Sequence, residues 1–246
     1  MDEMKLDNDR IKTGINGLDN MLKGGLPTGS STIIAGGPGA GKTLLCFETA
    51  YNNAIQGIPS LFISFEEDPQ YLLKNIKTTF IDLALNIDKL MASKMLVVDG
   101  RDPGIVIENS DTANKYTFGR VLSEIEKMIT DNKSKVVIID SISLVSMLFD
   151  NDLEYRRAMV TLQTSLKKLN VTTLITIELD MYNRGRIRYT PEFFIFDGIV
   201  TLYMQEESDK RSLALEIFKM RGTNHSRAVA PYEITGEGMR VFTIES

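Results

Sequence analysis

Apolar residues follow two alternating patterns along most of the chain. Compact runs give way to longer stretches in which apolar positions recur every three or four residues. Ser31–Ala35, Leu61–Phe65, Met95–Val98, Val136–Ile139 and Val171–Ile177 are the compact runs. Runs that are apolar on both faces predict strands of a buried parallel sheet. Between them a helix is predicted from Lys42 to about Gln56, closed by Gly57. A second is opened by Pro69, with Tyr71, Leu72, Ile76 and Phe80 at helical spacing. A third carries Phe118, Val121, Leu122, Ile125 and Met128 on one stripe, and a fourth runs from Leu153 to Leu169. A polar loop rich in Gly, Asp and Asn is expected between Val98 and about Asn114. The rhythm then changes: Ile199–Met204, Ser212–Met220 and Met239–Thr243 read as strands without intervening helices, and Gln205–Arg211 suits a hairpin connection. The expected fold is α/β, with a mainly parallel sheet flanked by helices in three layers and extended by C-terminal antiparallel strands. No linker or internal repeat divides it, so residues 1–246 are expected to form one domain, with 1–10 as a flexible N-terminal segment.

Composition narrows the function classes. The chain is 43% hydrophobic and 25% charged, ordinary for a soluble globular protein. No apolar run approaches the roughly 18 residues that a membrane helix needs. The start, Met1-Asp2-Glu3-Met4-Lys5, has no apolar signal region. A lone cysteine, Cys46, cannot form an internal disulfide, and a reducing, cytoplasmic setting is expected. With one histidine, His225, there is no set of residues for a Cys/His zinc site. The formal net charge of −5 argues against a general nucleic-acid-coating role. Cys46 and most of the 12 methionines are expected to fill core.

The chemistry concentrates at the end of the first strand. Gly36-Gly37-Pro38-Gly39-Ala40-Gly41-Lys42-Thr43 matches G-x-x-x-x-G-K-[ST] and lies between a predicted strand and a predicted helix. Glycines let successive backbone N–H groups turn inward toward phosphate oxygens, and the helix start aims its positive end at the same anion. Lys42 is expected to reach the β/γ-phosphates and the Thr43 hydroxyl to ligate Mg²⁺. Asp140 ends an apolar strand, a position that puts a carboxylate near the metal. Glu66 and Glu67 follow the second strand directly and should emerge at the same edge, where a carboxylate could orient water. A blander reading makes Glu67 and Asp68 helix-start acids ahead of Pro69.

Three further segments carry a resemblance. Thr13–Asp19 with Gly24–Ser30, the Phe65-Glu66-Glu67 triplet, and Lys219-Met220-Arg221-Gly222-Thr223-Asn224-His225 resemble the KaiC family of RecA-superfamily ATPases, over about residues 11–245. The resemblance implies a RecA-like fold and a homo-oligomeric ring, usually a hexamer, with ATP and Mg²⁺ held between subunits. Carried over by position, Gly37, Pro38, Gly39, Ala40, Gly41, Lys42, Thr43 and Leu44 bind phosphates, Thr43 and Asp140 serve the metal, and Glu66 and Glu67 are the catalytic pair. Thr78 matches a position close to the nucleotide. Lys219, Met220, Arg221, Thr223 and His225 match residues that contact ATP from the adjacent subunit, with Lys219 and Arg221 catalytic. Thr235 and Gly236 match a nucleotide-lining stretch, although the family often has Asp in place of Gly236. The namesake of the family carries two such domains, and where its second has a phosphorylated Ser-Thr pair this chain reads Phe193-Phe194, which bear no hydroxyl.

On the residues alone, Lys219 and Arg221 alternate in phase on a late strand and share a face. They could complement phosphate charge, or simply keep an edge strand soluble. Arg184, Arg186 and Arg188 follow the fifth strand and could track a nucleic-acid backbone, or pair with Asp180 and Glu192. The leading expectation is therefore an ATP-hydrolysing ring that acts as a switch on an unidentified protein partner. The alternatives are a recombinase- or helicase-like DNA-binding ATPase and a non-catalytic nucleotide-sensing scaffold.

Overall fold

The computed structural model of the chain describes residues 10–100, 118–179, 190–207 and 210–243. The compact apolar runs form the strands expected of them: β3 (Ser31–Gly36), β4 (Ser60–Ser64), β5 (Leu96–Gly100), β6 (Val136–Asp140) and β7 (Thr172–Glu178). With β8 (Gly198–Glu207), β9 (Lys210–Met220), β10 (Ala230–Thr235) and β11 (Gly238–Val241) they make a nine-stranded sheet ordered β11-β10-β9-β8-β3-β7-β6-β4-β5. β3 to β8 run parallel, and β9 to β11 add an antiparallel extension. The expected β8–β9 hairpin is present, but pairing continues to Glu207 and Lys210, inside the segment expected as loop.

Side-chain alternation divides the strands between two cores. Ile34, Phe62 and Ile138 face α2 (Lys42–Ile55), α3 (Pro69–Thr79) and α4 (Ile81–Ala92). Their neighbours Ile33, Ile63 and Ile139 face α5 (Phe118–Asp131) and α6 (Asp152–Lys168). β3, β4 and β6 are therefore covered by helices on both sides, which is why each reads as continuously apolar. Cys46 is buried in the first core, as expected.

Several elements do not follow the sequence pattern. α4 is a separate helix with Leu83, Ile87 and Leu90 buried, but exposed Ile81 and Leu85 blur its stripe. α1 (Leu18–Met21), α7 (Pro191–Ile195), the 3₁₀ turn Leu144–Leu148 and the pair β1 (Arg10–Ile11) and β2 (Leu26–Pro27) are too short for periodicity to register. Arg10, placed in the segment expected to be flexible, is anchored: its guanidinium donates to the Leu22 and Gly25 carbonyls and to Thr223 Oγ1. The polar loop expected up to Asn114 lies, from residue 101, outside the described residues.

A buried carboxyl ties α2 to the last hairpin. Glu48 is 5% exposed and its Oε2 accepts the Met239 N–H at 2.8 Å. Gly238 passes so close that a Cβ there would lie 2.5 Å from Glu48 Oε1. Burial pushes this carboxyl up to about 7 against the pull of the Met239 bond. From its unfolded value of about 4.3 up to 7, the native state keeps a proton that the unfolded chain has released, so stability falls as pH rises through that window. Glu48→Gln keeps the acceptor and removes the ionisation. It is expected to match the parent within a few tenths of a kcal/mol at about pH 4 and to exceed it by about 1–3 kcal/mol at pH 8. Denaturant midpoints at both pH values check this, and an unchanged difference between the two proteins would contradict it.

Candidate active site

The parallel strands deliver a set of functional groups to one edge of the sheet. Ser64 pairs with Asp140, and Gly36 pairs with both Glu178 and Leu202, so these residues share a level at the C-terminal ends of the strands. The loop from β3 to α2 turns back there through Gly39 (φ 77°) and Gly41 (φ 83°), both left-handed. Gly41 stands at the α2 N-cap position and no side chain caps the helix, which leaves its first N–H groups unclaimed by a side-chain cap. Lys42 folds over the loop, its Nζ donating to the Gly36 and Gly37 carbonyls at 3.0 and 3.1 Å. Pro38 and Gly39 are exposed, Gly37, Thr43 and Leu44 half-buried, and Ala40 buried. The Ala40 carbonyl accepts the Tyr232 hydroxyl from β10, which braces the loop from the antiparallel extension.

Acids gather beside it. Asp140 is buried, accepts hydrogen bonds from Thr176 Oγ1 and the Thr43 hydroxyl, and has its carboxyl raised by burial, with those bonds and Lys42 pulling the other way. The Glu66 carboxylate accepts the Ser141 hydroxyl. Desolvation raises Glu66, opposed by the Ser141 bond, while Asp140 and Glu178 push it further up and Lys42 counters. Glu67 accepts Asn75 Nδ2 at 2.6 Å, and its backbone is pinned by the Ser64 hydroxyl. Asp68, not Glu67, caps α3, accepting the Gln70 N–H at 2.8 Å. The helix-start role that the blander reading gave to Glu67 and Asp68 thus falls to Asp68 as the cap.

The hairpin tip Thr235-Gly236 reaches this edge too, its Gly236 carbonyl accepting the Asp82 N–H at the start of α4. Thr78 is exposed on the last turn of α3, its hydroxyl bonded to the Lys74 carbonyl.

The remaining residues lie elsewhere. Met220 pairs with Gly198, which pairs with Thr32, so the end of β9 sits at the opposite, N-terminal edge of the sheet. Lys219 Nζ donates to the Phe193 and Phe196 carbonyls at 2.9 and 2.6 Å. Arg221 donates to the Phe194 and Ile195 carbonyls and pairs with Asp197 at 3.4 Å. The two cations therefore close the C-terminal end of α7, where helix carbonyls lack partners. Burial, and then the neighbouring Arg221 charge, lower Lys219. Thr223 holds Arg10, His225 Nδ1 lies 2.8 Å from the Ser226 carbonyl, and Met220 is a buried core side chain. The solvated-edge reading of Lys219 and Arg221 misses these contacts. Arg184, Arg186 and Arg188 lie outside the described residues.

The model of the family "ATPase: KaiC" matches residues 11–246. The chain belongs to the KaiC ATPase family. It is 32% identical to the circadian clock oscillator protein KaiC of Synechococcus elongatus over 237 residues, covering 96% of this chain and 44% of that one. It is 33% identical to KaiC 1 of Synechocystis sp. over 241 residues, with 96% and 44% covered. The chain thus spans less than half the length of these relatives. The crystal structure of a KaiC-like protein from Pyrococcus horikoshii OT3 superposes with a TM-score of 0.79 at 27% identity, covering 95% of this chain and 99% of that one. The mainly parallel, helix-flanked sheet is that of the KaiC-like RecA fold. No helix among the described residues is long and apolar enough to cross a membrane.

Sequence reasoning did not single out Thr176, Glu178 or Tyr232, and it named Ser141 only as the end of the Val137–Ser141 segment that resembles the family, without a role. Ser141 follows Asp140 directly and Thr176 interrupts an apolar strand, so both left a faint signal. Tyr232 left none, because its contact depends on how β10 crosses the phosphate loop.

Proposed function

We propose that this KaiC-family chain binds Mg-ATP on Gly37–Leu44 and hydrolyses it, that self-assembly brings Lys219 and Arg221 of one copy to the phosphate loop of the next, and that the cycle serves as a cytoplasmic switch for a protein partner. The reading is carried by one observation: the phosphate loop and the Lys219/Arg221 pair occupy opposite edges of one sheet. Lys219 is level with Ile199 and Ile33, three residues or about 10 Å back along β3 from Gly36. Its side chain and that of Arg221 turn toward the α7 carbonyls. They are unsuited to their own chain's loop and suited to a neighbour's. An arginine supplied in this way is worth about 10³–10⁵ in rate in related phosphoryl-transfer enzymes.

The site's donors fit magnesium. Thr43 and Asp140 offer a hydroxyl and a carboxylate already in contact, the oxygen set Mg²⁺ shares with phosphates. When bound, the ion would neutralise charge on the phosphate oxygens. Lys42 would exchange the Gly36 and Gly37 carbonyls for phosphate, and Glu66, steadied by Ser141, would hold and orient a water with Glu67 beside it. Thr78, Thr235 and Gly236 would line the nucleotide on the same edge, while Thr223 and His225 would approach it from the neighbour. The DNA-binding alternative is not favoured, because the family match is to KaiC.

Mixing subunits tests the shared site. Arg221→Ala and Lys42→Ala chains are each expected to be nearly inactive, yet mixed assemblies should regain part of the turnover, because some sites pair an intact loop with an intact Arg221. Co-purification of differently tagged chains establishes mixing. Mixed assemblies without any rescue would put Arg221 outside a neighbour's site.

A further inference from the structure

A cavity of about 430 Å³ opens beside the acidic edge, between the segment after β6, the end of β7 and the first turns of α6 and α7. Among the described residues its lining is one-sided in charge. Asp150, Asp152 and Glu178 are exposed on it, Glu192 is buried in it, and no lysine, arginine or histidine is among the described residues that line it.

Glu192 sets this cavity apart from an ordinary acidic surface. Its side chain is only 5% exposed. One carboxylate oxygen accepts the Tyr155 hydroxyl, but Oε2 is buried with no hydrogen-bond partner among the described residues, and so is Thr190 Oγ1 at the same cavity. Tyr155 is held well above its ordinary value, by burial first and then by the Glu192 charge, so it stays a donor. A buried carboxylate oxygen without a partner is costly by several kcal/mol. Helix-start electrostatics account for exposed Asp152 and Glu154 on α6. They account poorly for Glu192, because α7 is only 5 residues long. The other walls include Phe149, Ile177 and Pro191, which give an apolar lining beside the charge.

We propose that this cavity binds an organic cation, a guanidinium or primary ammonium on an aliphatic stem, with Glu192 Oε2 as its buried counter-charge and Thr190 Oγ1 as a second acceptor. A metal ion is the poorer fit: no group of three or more His, Cys, Asp or Glu side chains among the described residues could hold one. The cation has two possible sources. One is a free small molecule; the other is this chain's own Arg184, Arg186 or Arg188, which precede Thr190 in sequence by two to six residues and lie outside the described residues. The site is independent of the nucleotide reading, since neither Glu192 nor Thr190 belongs to it.

Agmatine, a guanidinium on a four-carbon stem with an ammonium at its far end, is the probe. Calorimetric titration is run on the full chain, on Glu192→Gln, and on a chain with Arg184, Arg186 and Arg188 all replaced by glutamine. Saturable binding to the parent that weakens about 10- to 100-fold in Glu192→Gln supports a free cation, as expected for losing a charge-assisted bond. Binding only after the three arginines are removed supports the same chemistry filled by the chain itself. Glu154→Gln, outside the cavity, should bind like the parent. If Glu192→Gln does not fold, Thr190→Val carries the test with an expected loss of about 3- to 10-fold. Agmatine bound by neither the parent nor the triple variant, or bound equally well when the cavity residues are changed, overturns the proposal; so does saturable Ca²⁺ binding at Glu192 in its place.

Discussion

A chain carrying Glu66→Gln and Glu67→Gln together is expected to bind Mg-ATP about as tightly as the parent and to turn it over about 10²–10⁴-fold more slowly, the range for losing a positioned acid–base group. Neither carboxylate is committed to building the fold: Asp68 caps α3, and glutamine still accepts the Ser141 and Asn75 bonds. Single variants should divide the effect unequally. Glu66 faces Ser141, Asp140, Glu178 and Lys42, whereas Glu67 is drawn toward α3 by Asn75. Glu66→Gln should therefore carry most of the loss. Because burial raises the Glu66 carboxyl, the acid limb of the turnover profile should fall above the ordinary carboxylate range, and Glu66→Gln should abolish that limb. Steady-state phosphate release across pH, with nucleotide affinity measured separately, decides it. Undiminished turnover in the double variant would remove both residues from the chemistry.

Lys42→Ala is the second large effect, and it falls on binding. Charge-assisted bonds are worth about 1.5–3 kcal/mol each, so ATP affinity should drop about 10- to 100-fold or more. The fold should survive, since among the described residues Lys42 Nζ donates only to carbonyls of its own loop. Fluorescent-nucleotide titration with a thermal-unfolding control distinguishes a lost ligand contact from a lost fold. Parental affinity in a folded Lys42→Ala chain would refute the phosphate assignment.

Much of this was legible in the residues because the two signals are local. Strands buried on both faces announce themselves as apolar runs, and the glycine loop needs only its own spacing and its flanks. α4 was lost for the reason given by Ile81 and Leu85: apolar side chains on the solvent face hide a stripe whose buried members, Leu83, Ile87 and Leu90, were correctly spaced. The bracing of the phosphate loop by Tyr232, and the docking of Lys219 and Arg221 on the α7 carbonyls, join residues far apart in sequence. No period or motif encodes such contacts; only the register of β8, β9 and β10 creates them.

That register also restricts how copies can meet. Two chains related by a two-fold axis present the same patch to each other, so a surface at one sheet edge cannot reach a partner's opposite edge without a second, different contact. If Lys219 and Arg221 serve a neighbour's loop, the association is head-to-tail, and every protomer added exposes the same unsatisfied pair of ends. Such a stack stops growing only when the turn between successive chains divides a full circle. The rotation built into that one junction would then set the number of chains, and a change that altered it slightly would yield an open filament in place of a closed particle.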